Sequence, residues 1–154
     1  MACDARGGQR VFAIVNSFSR YASWVLILAF AAAIARAQDP ESTTVQRVAR
    51  DWLSLTDAGD GAGSWDAAAQ LFKNAVPRDR WIESLKQVRD PLGKLDQRSV
   101  LSTNFATSFP GAPDGNYAIV LFRTSFAKKA DAAESVTLQR EPDGAWRVVG
   151  YFIR

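Results

Sequence analysis

The sequence predicts an α+β domain, with three N-terminal helices packed on one face of a four-stranded antiparallel meander sheet. Two observations carry this prediction. Apolar residues recur at helical spacing as far as Leu92 and at a spacing of two from Leu95 onward. Turn-forming clusters then break the second half at hairpin distances.

Residues 1–37 stand apart. They hold Arg6, Arg10, Arg20 and Arg36 against one acid, Asp4, and so account for the whole +3 net charge; the remaining chain carries 15 cations and 15 anions. The apolar run 21–35 falls short of the roughly 20 residues of a spanning helix, and it ends in Ala35-Arg36-Ala37, small residues around a larger one. This is the plan of a signal peptide cut after Ala37, so the mature protein is expected to be periplasmic or secreted. The only cysteine, Cys3, would leave with it, so the 117 residues that follow would hold no thiol. No membrane span is expected in the mature form.

Residues 38–43 read as a short polar lead, in which Ser42 or Thr43 can cap the domain 44–154. Val45, Val48, Ala49 and Trp52 then form the stripe of a first helix. Gly59, Gly61 and Gly63 break it. Ser64 is the expected cap of a second helix along Trp65, Ala68, Ala69 and Phe72. Pro77 suits the first turn of a third, whose stripe is Trp81, Ile82, Leu85, Val88 and Leu92.

Leu101, Thr103 and Phe105 alternate in a first strand. After the turn-rich FPGAPDG, the segment NYAIVLFRTSF places Tyr117, Ile119 and Leu121 on one face and Ala118, Val120, Phe122 and Phe126 on the other, as a central strand should. AKKADAA reads as a solvated connection to ESVTLQRE, where Val136 and Leu138 alternate with polar neighbours. Pro142-Asp143-Gly144 signals a hairpin into the last strand. In that strand Val149, Tyr151 and Ile153 fall on one parity and Trp146, Val148 and Phe152 on the other, so a second apolar face needs a cover.

The residues Trp81, Pro91-Leu92-Gly93, Arg98, the loop 110–115, Tyr117, Phe126, Glu134, the segment 143–148, Gly150-Tyr151 and Ile153-Arg154 together resemble a bacterial secreted family, domain of unknown function 4019, over about residues 44–154. The resemblance implies no established activity. It implies a cone-shaped fold of the nuclear transport factor 2-like or cystatin-like kind, which can hold a small molecule between helices and sheet or pair through the outer sheet face.

With no histidine in the chain and no cysteine after residue 37, thiol nucleophiles, histidine triads and His or Cys zinc sites are excluded from the mature domain. Asp57, Asp60 and Asp66 lack calcium-loop spacing and read as turn and cap residues. Gly59 to Gly63 lacks the strand and Lys-Ser or Lys-Thr of a phosphate cradle. Arg98, Arg123, Glu134 and Arg140 lie in strands and make either cross-strand ion pairs or the polar groups of a cavity. The candidate ligand-binding residues are Trp52, Trp81, Tyr117, Glu134, Trp146 and Tyr151; no catalytic residue, metal site or cofactor is assigned. Balanced charge disfavours nucleic acid. The expected function is non-enzymatic binding of a small apolar ligand, or of a protein partner such as an envelope protein or a second copy in a homodimer. The alternatives are an acid-base enzyme using Glu134 with Tyr117 or Tyr151, and a structural envelope component.

Overall fold

The computed structural model describes residues 39–154; the leader and the expected cleavage after Ala37 lie outside the described residues. Helix α1 (Pro40–Asp57) starts earlier than expected, inside the polar lead. Asp39 caps it, its carboxylate accepting the Glu41 N–H at 3.2 Å, and Pro40 sits in the first turn, where a missing N–H costs nothing. Val45, Ala49, Trp52, Leu53 and Thr56 form its buried stripe. Gly59, at φ +74°, supplies the left-handed residue that ends it.

The expected second helix is two short ones, α2 (Gly61–Asp66) and α3 (Gln70–Ala75), so the α-helices among the described residues number four. The break falls where Ala69 donates its N–H to the Val148 carbonyl at 2.9 Å instead of continuing a helix. Asp60, not Ser64, caps α2 by accepting the Gly63 N–H at 2.7 Å. Ser64 is fully buried: its carbonyl accepts the Trp52 indole N–H at 2.8 Å and its hydroxyl that of Trp81 at 2.9 Å. Helix α4 (Arg78–Arg89) has Pro77 as its N-cap residue, one position before the expected first turn. Its buried row is Trp81, Leu85 and Arg89, four apart, while Val88 is 48% exposed. A Cβ on Gly61 would stand 3.1 Å from the Ile82 Cα, so the approach of α2 to α4 requires glycine there.

Strands β1 (Leu95–Ala106), β2 (Tyr117–Phe126), β3 (Lys129–Arg140) and β4 (Trp146–Ile153) form the predicted antiparallel meander in the order β1-β2-β3-β4. The connection expected over AKKADAA shrinks to a turn at Ala127 and Lys128, because β3 begins at Lys129. Ala118, Val120, Phe122, Val136, Leu138, Trp146 and Val148 join Val45, Ala49, Trp52, Leu53, Phe72, Trp81 and Leu85 in one buried cluster. Each large side chain there contributes about 1.5–3 kcal/mol by leaving water.

A bulge explains the two-sided pattern of the last strand. Leu138 pairs with Val148 and Thr137 with Gly150, so Val149 is an extra residue and the face parity inverts after it. Trp146 and Val148 before the bulge, and Tyr151 and Ile153 after it, therefore share the face of Val136 and Glu134. Phe152 alone of the strand's expected even set turns outward, 67% exposed. A second bulge, between the pairs Val100–Phe122 and Ser102–Leu121, ejects Leu101, which is 52% exposed, and brings Val100 into line with Thr103 and Phe105. On the outer face, the β1–β2 loop covers Tyr117: the ring lies 6.0 Å from Phe109 and its hydroxyl donates to the Pro113 carbonyl at 2.6 Å.

Deleting Val149 is expected to remove the bulge and leave the pairs Val136–Tyr151, Ser135–Phe152 and Glu134–Ile153 on their present faces; a loss of about 3 kcal/mol or more in thermal and denaturant unfolding would contradict this. In the β3–β4 hairpin, hydrogen bonds from Arg147 and the Ala145 N–H hold the Asp143 carboxyl down at about 2. Its contribution is present above the ordinary value of 3.8 and lost as pH falls toward 2; a carboxyl NMR titration with a midpoint near 3.8 would contradict this.

Candidate functional site

Four buried or nearly buried charges meet where two helices end on the sheet. Asp57 closes α1, Arg89 closes α4, Arg98 lies on β1 and Glu134 on β3. Arg98 grips Asp57 with both terminal nitrogens, at 2.7 and 2.9 Å, and donates its Nε to Glu134 at 2.6 Å. Arg89 donates to Asp57 at 2.5 Å, lies 4.4 Å from the centre of the Phe126 ring and places its Nη1 3.5 Å from Glu134 Oε1. That Nη1 is the one buried side-chain nitrogen or oxygen without a hydrogen bond among the described residues. Thr124 and Tyr151 complete Glu134, each donating at 2.6 Å.

This arrangement closes the carboxylate. Glu134 has no exposed surface, and donors occupy both oxygens. Burial, then the nearby Glu134 charge, pushes the Tyr151 phenol far above its ordinary range, so it serves as a fixed donor. Burial works to lower the Arg98 value, but the hydrogen bonds to Asp57 and Glu134 outweigh it and hold the guanidinium more firmly protonated than usual. Glu134 and Tyr151 thus meet, yet as a closed pair, with donors on both carboxylate oxygens and no exposed carboxylate surface for a substrate. Tyr117 cannot join them, since it lies on the opposite face of the sheet.

Of the six predicted ligand residues, Trp52, Trp81, Tyr151 and Glu134 come together. The Trp52 and Tyr151 rings are 5.3 Å apart, Trp52 and Trp81 5.9 Å, Trp81 and Tyr151 6.4 Å, and Phe72 meets Trp81 at 5.1 Å. These edge-on and tilted contacts fill the space between helices and sheet; each adds about 0.5–1.5 kcal/mol beyond burial. Tyr117 and Trp146 lie elsewhere, around a cleft of about 410 Å³ at the end of the sheet, which Phe105, Asn116, Arg140 and Glu41 also line. There Trp146, 8% exposed, lies 6.1 Å from Phe105, 43% exposed, and Arg140 faces Glu41 at 3.7 Å. A smaller groove of about 210 Å³ runs along Val48, Trp52, Leu55 and Val148.

Sequence reading missed Asp57 and Arg89 as members of the network. Arg89 was visible as the next residue four positions beyond Trp81 and Leu85, a row that an arginine joins when its charge has a partner. Asp57 carried no such signal. Among the strand charges, Arg98 and Glu134 pair inside, Arg140 pairs with Glu41 at the surface, and Arg123 is exposed.

The fold and these contacts define an α+β domain whose interior charges are spent on one another. Over residues 48–151 the chain matches the family described as a protein of unknown function, DUF4019, and it belongs to that family. The matched region contains the whole charge network and all six predicted residues. No curated protein matches the chain at a significant level.

Arg98→Ala should cost about 3–5 kcal/mol, because it strands Glu134 and Asp57 without their shared partner; chemical denaturation would measure it. Tyr151→Phe should cost about 1–3 kcal/mol. Because the folded phenol titrates above its ordinary value near 10, the unfolded chain ionises first and stability falls as pH rises past that value. Tyr151→Phe should flatten that alkaline fall; an unchanged slope would contradict the buried donor role.

Proposed function

We propose that this protein is an exported, non-enzymatic binding domain that takes a small, largely apolar molecule in the cleft beside Phe105 and Trp146. The observation that carries the reading is the exposed Phe105 ring packed beside a nearly buried Trp146 in the wall of a cleft of about 410 Å³. That volume lies within the roughly 300–1,000 Å³ of small-molecule sites, whereas the groove beside Val48 lies below it. Arg140, Glu41 and Asn116 supply a polar rim that can orient one end of the ligand. The closed state of Glu134 favours binding over acid-base chemistry, and the arginine-bearing apolar leader favours export.

Native mass spectrometry of the exported protein is expected to give a chain beginning at Gln38 that retains a small molecule or binds the neutral dye N-phenyl-1-naphthylamine saturably. Phe105→Ala should weaken dye binding about tenfold or more, the loss of one apolar ring contact. Leu101→Ala, on the same strand but outside the cleft, should leave it unchanged. Saturable binding untouched by Phe105→Ala, or none at all, would refute the site.

A second reading rests on Phe152. It stands on the outer face in one row with Ser135 and Leu121, beside the half-buried Ile119, and fits self-association of that face. Sedimentation should then show a concentration-dependent dimer that Phe152→Asp abolishes; a wild-type monomer throughout the micromolar range would exclude it.

A further inference from the structure

We propose that the sheet face turned away from the helices carries a separate site for an oxyanion of the phosphate or sulfate class. A cleft of about 450 Å³ opens at one end of β1 and β2, lined by Gln97, Arg98, Ser99, Arg123, Thr124 and Ser125 together with Ala130. The register pairs Gln97 with Ser125 and Ser99 with Arg123. Their strand neighbours Arg98, Phe122 and Thr124 reach the interior network and core, so these four stand on the opposite face.

The chemistry of the lining is one-sided. Every polar side chain in it can donate a hydrogen bond, and none is a carboxylate. Arg98 is already committed to Asp57 and Glu134. Arg123 is exposed and, among the described residues, enters no ion pair, leaving its planar fork available. Directly paired strand residues stand about 5 Å apart, and alternate residues along a strand about 7 Å. Four donors at those corners can close on one tetrahedral oxyanion at hydrogen-bond distance, with Arg123 supplying the charge and the Ser99 and Ser125 hydroxyls the orientation. Asp96 and Asp131 are sequence neighbours of lining residues but do not line the cleft. The site lies on the other face from the charge network and does not depend on the Phe105 cleft.

The ion could be a free anion or the head of a lipid, and the two sources separate experimentally. The exported protein would be titrated with sodium phosphate, and with sodium chloride at equal ionic strength, while the NMR signals of Gln97, Ser99, Arg123 and Ser125 are followed. Saturable shifts with phosphate alone are expected. Arg123→Ala should weaken them about tenfold or more without changing the unfolding temperature, and Arg47→Ala on α1 should have no effect. If phosphatidylglycerol vesicles, but not phosphatidylcholine vesicles, also pull down the protein through Arg123, the source is a lipid head group; phosphate shifts without vesicle binding assign a soluble anion. Equal shifts with chloride, no saturable phosphate shift, or an affinity unchanged in Arg123→Ala would overturn the proposal.

Discussion

A buried charge must find its opposite, and in this protein that requirement joins four separate elements. Asp57 at the end of α1 would by itself be unfavourable, since its negative charge meets the negative pole of the helix. The guanidinium groups of Arg89 and Arg98 reverse that penalty. Glu134, on the middle of β3, accepts from Arg98, Thr124 and Tyr151. No one element could shift without leaving a charge unpaired in a dry environment, so the network specifies how both helix ends sit on the sheet. Its net charge is zero, which makes it a structural joint more than a reactive centre.

The aromatic packing extends the same logic. Tyr151 belongs to both systems: its hydroxyl donates to Glu134 while its ring packs on Trp52 and Trp81. Ser64 plays the matching part among the helices, taking the indole N–H groups of both tryptophans. Rings and polar groups together occupy the interior, and apart from the small groove beside Val48 what remains open to a ligand lies at the ends and outer face of the sheet.

The sequence was legible wherever one residue followed another without interruption. The alternation of β2 runs unbroken opposite β3 from Tyr117 to Thr124, and its two faces were read correctly. Strands β1 and β4 were misread because a single inserted residue, Leu101 or Val149, inverts every assignment beyond it; Gly150, an interruption in a bulky strand that can mark a bulge or a close approach, stands beside the insertion in β4, whereas nothing around Leu101 announces one. The short helices failed for another reason: Ala69 gives its N–H to β4, a contact distant in sequence. The charge network was half visible. Arg98 and Glu134 were recognised as strand charges, but their partners on the helix ends depend on how the helices dock.

The two bulges have a bearing on how the chain behaves in a crowd. Both outermost strands, β1 and β4, carry one, and strands at the margin of an open sheet are ready templates for pairing with another molecule. A bulge twists the ladder and spoils its register at that point. On β4 the Val148 carbonyl, immediately before the bulge, is also taken by Ala69. The irregularities that obscure the alternation in the sequence therefore also blunt both margins against indiscriminate strand addition, a safeguard of solubility at high concentration.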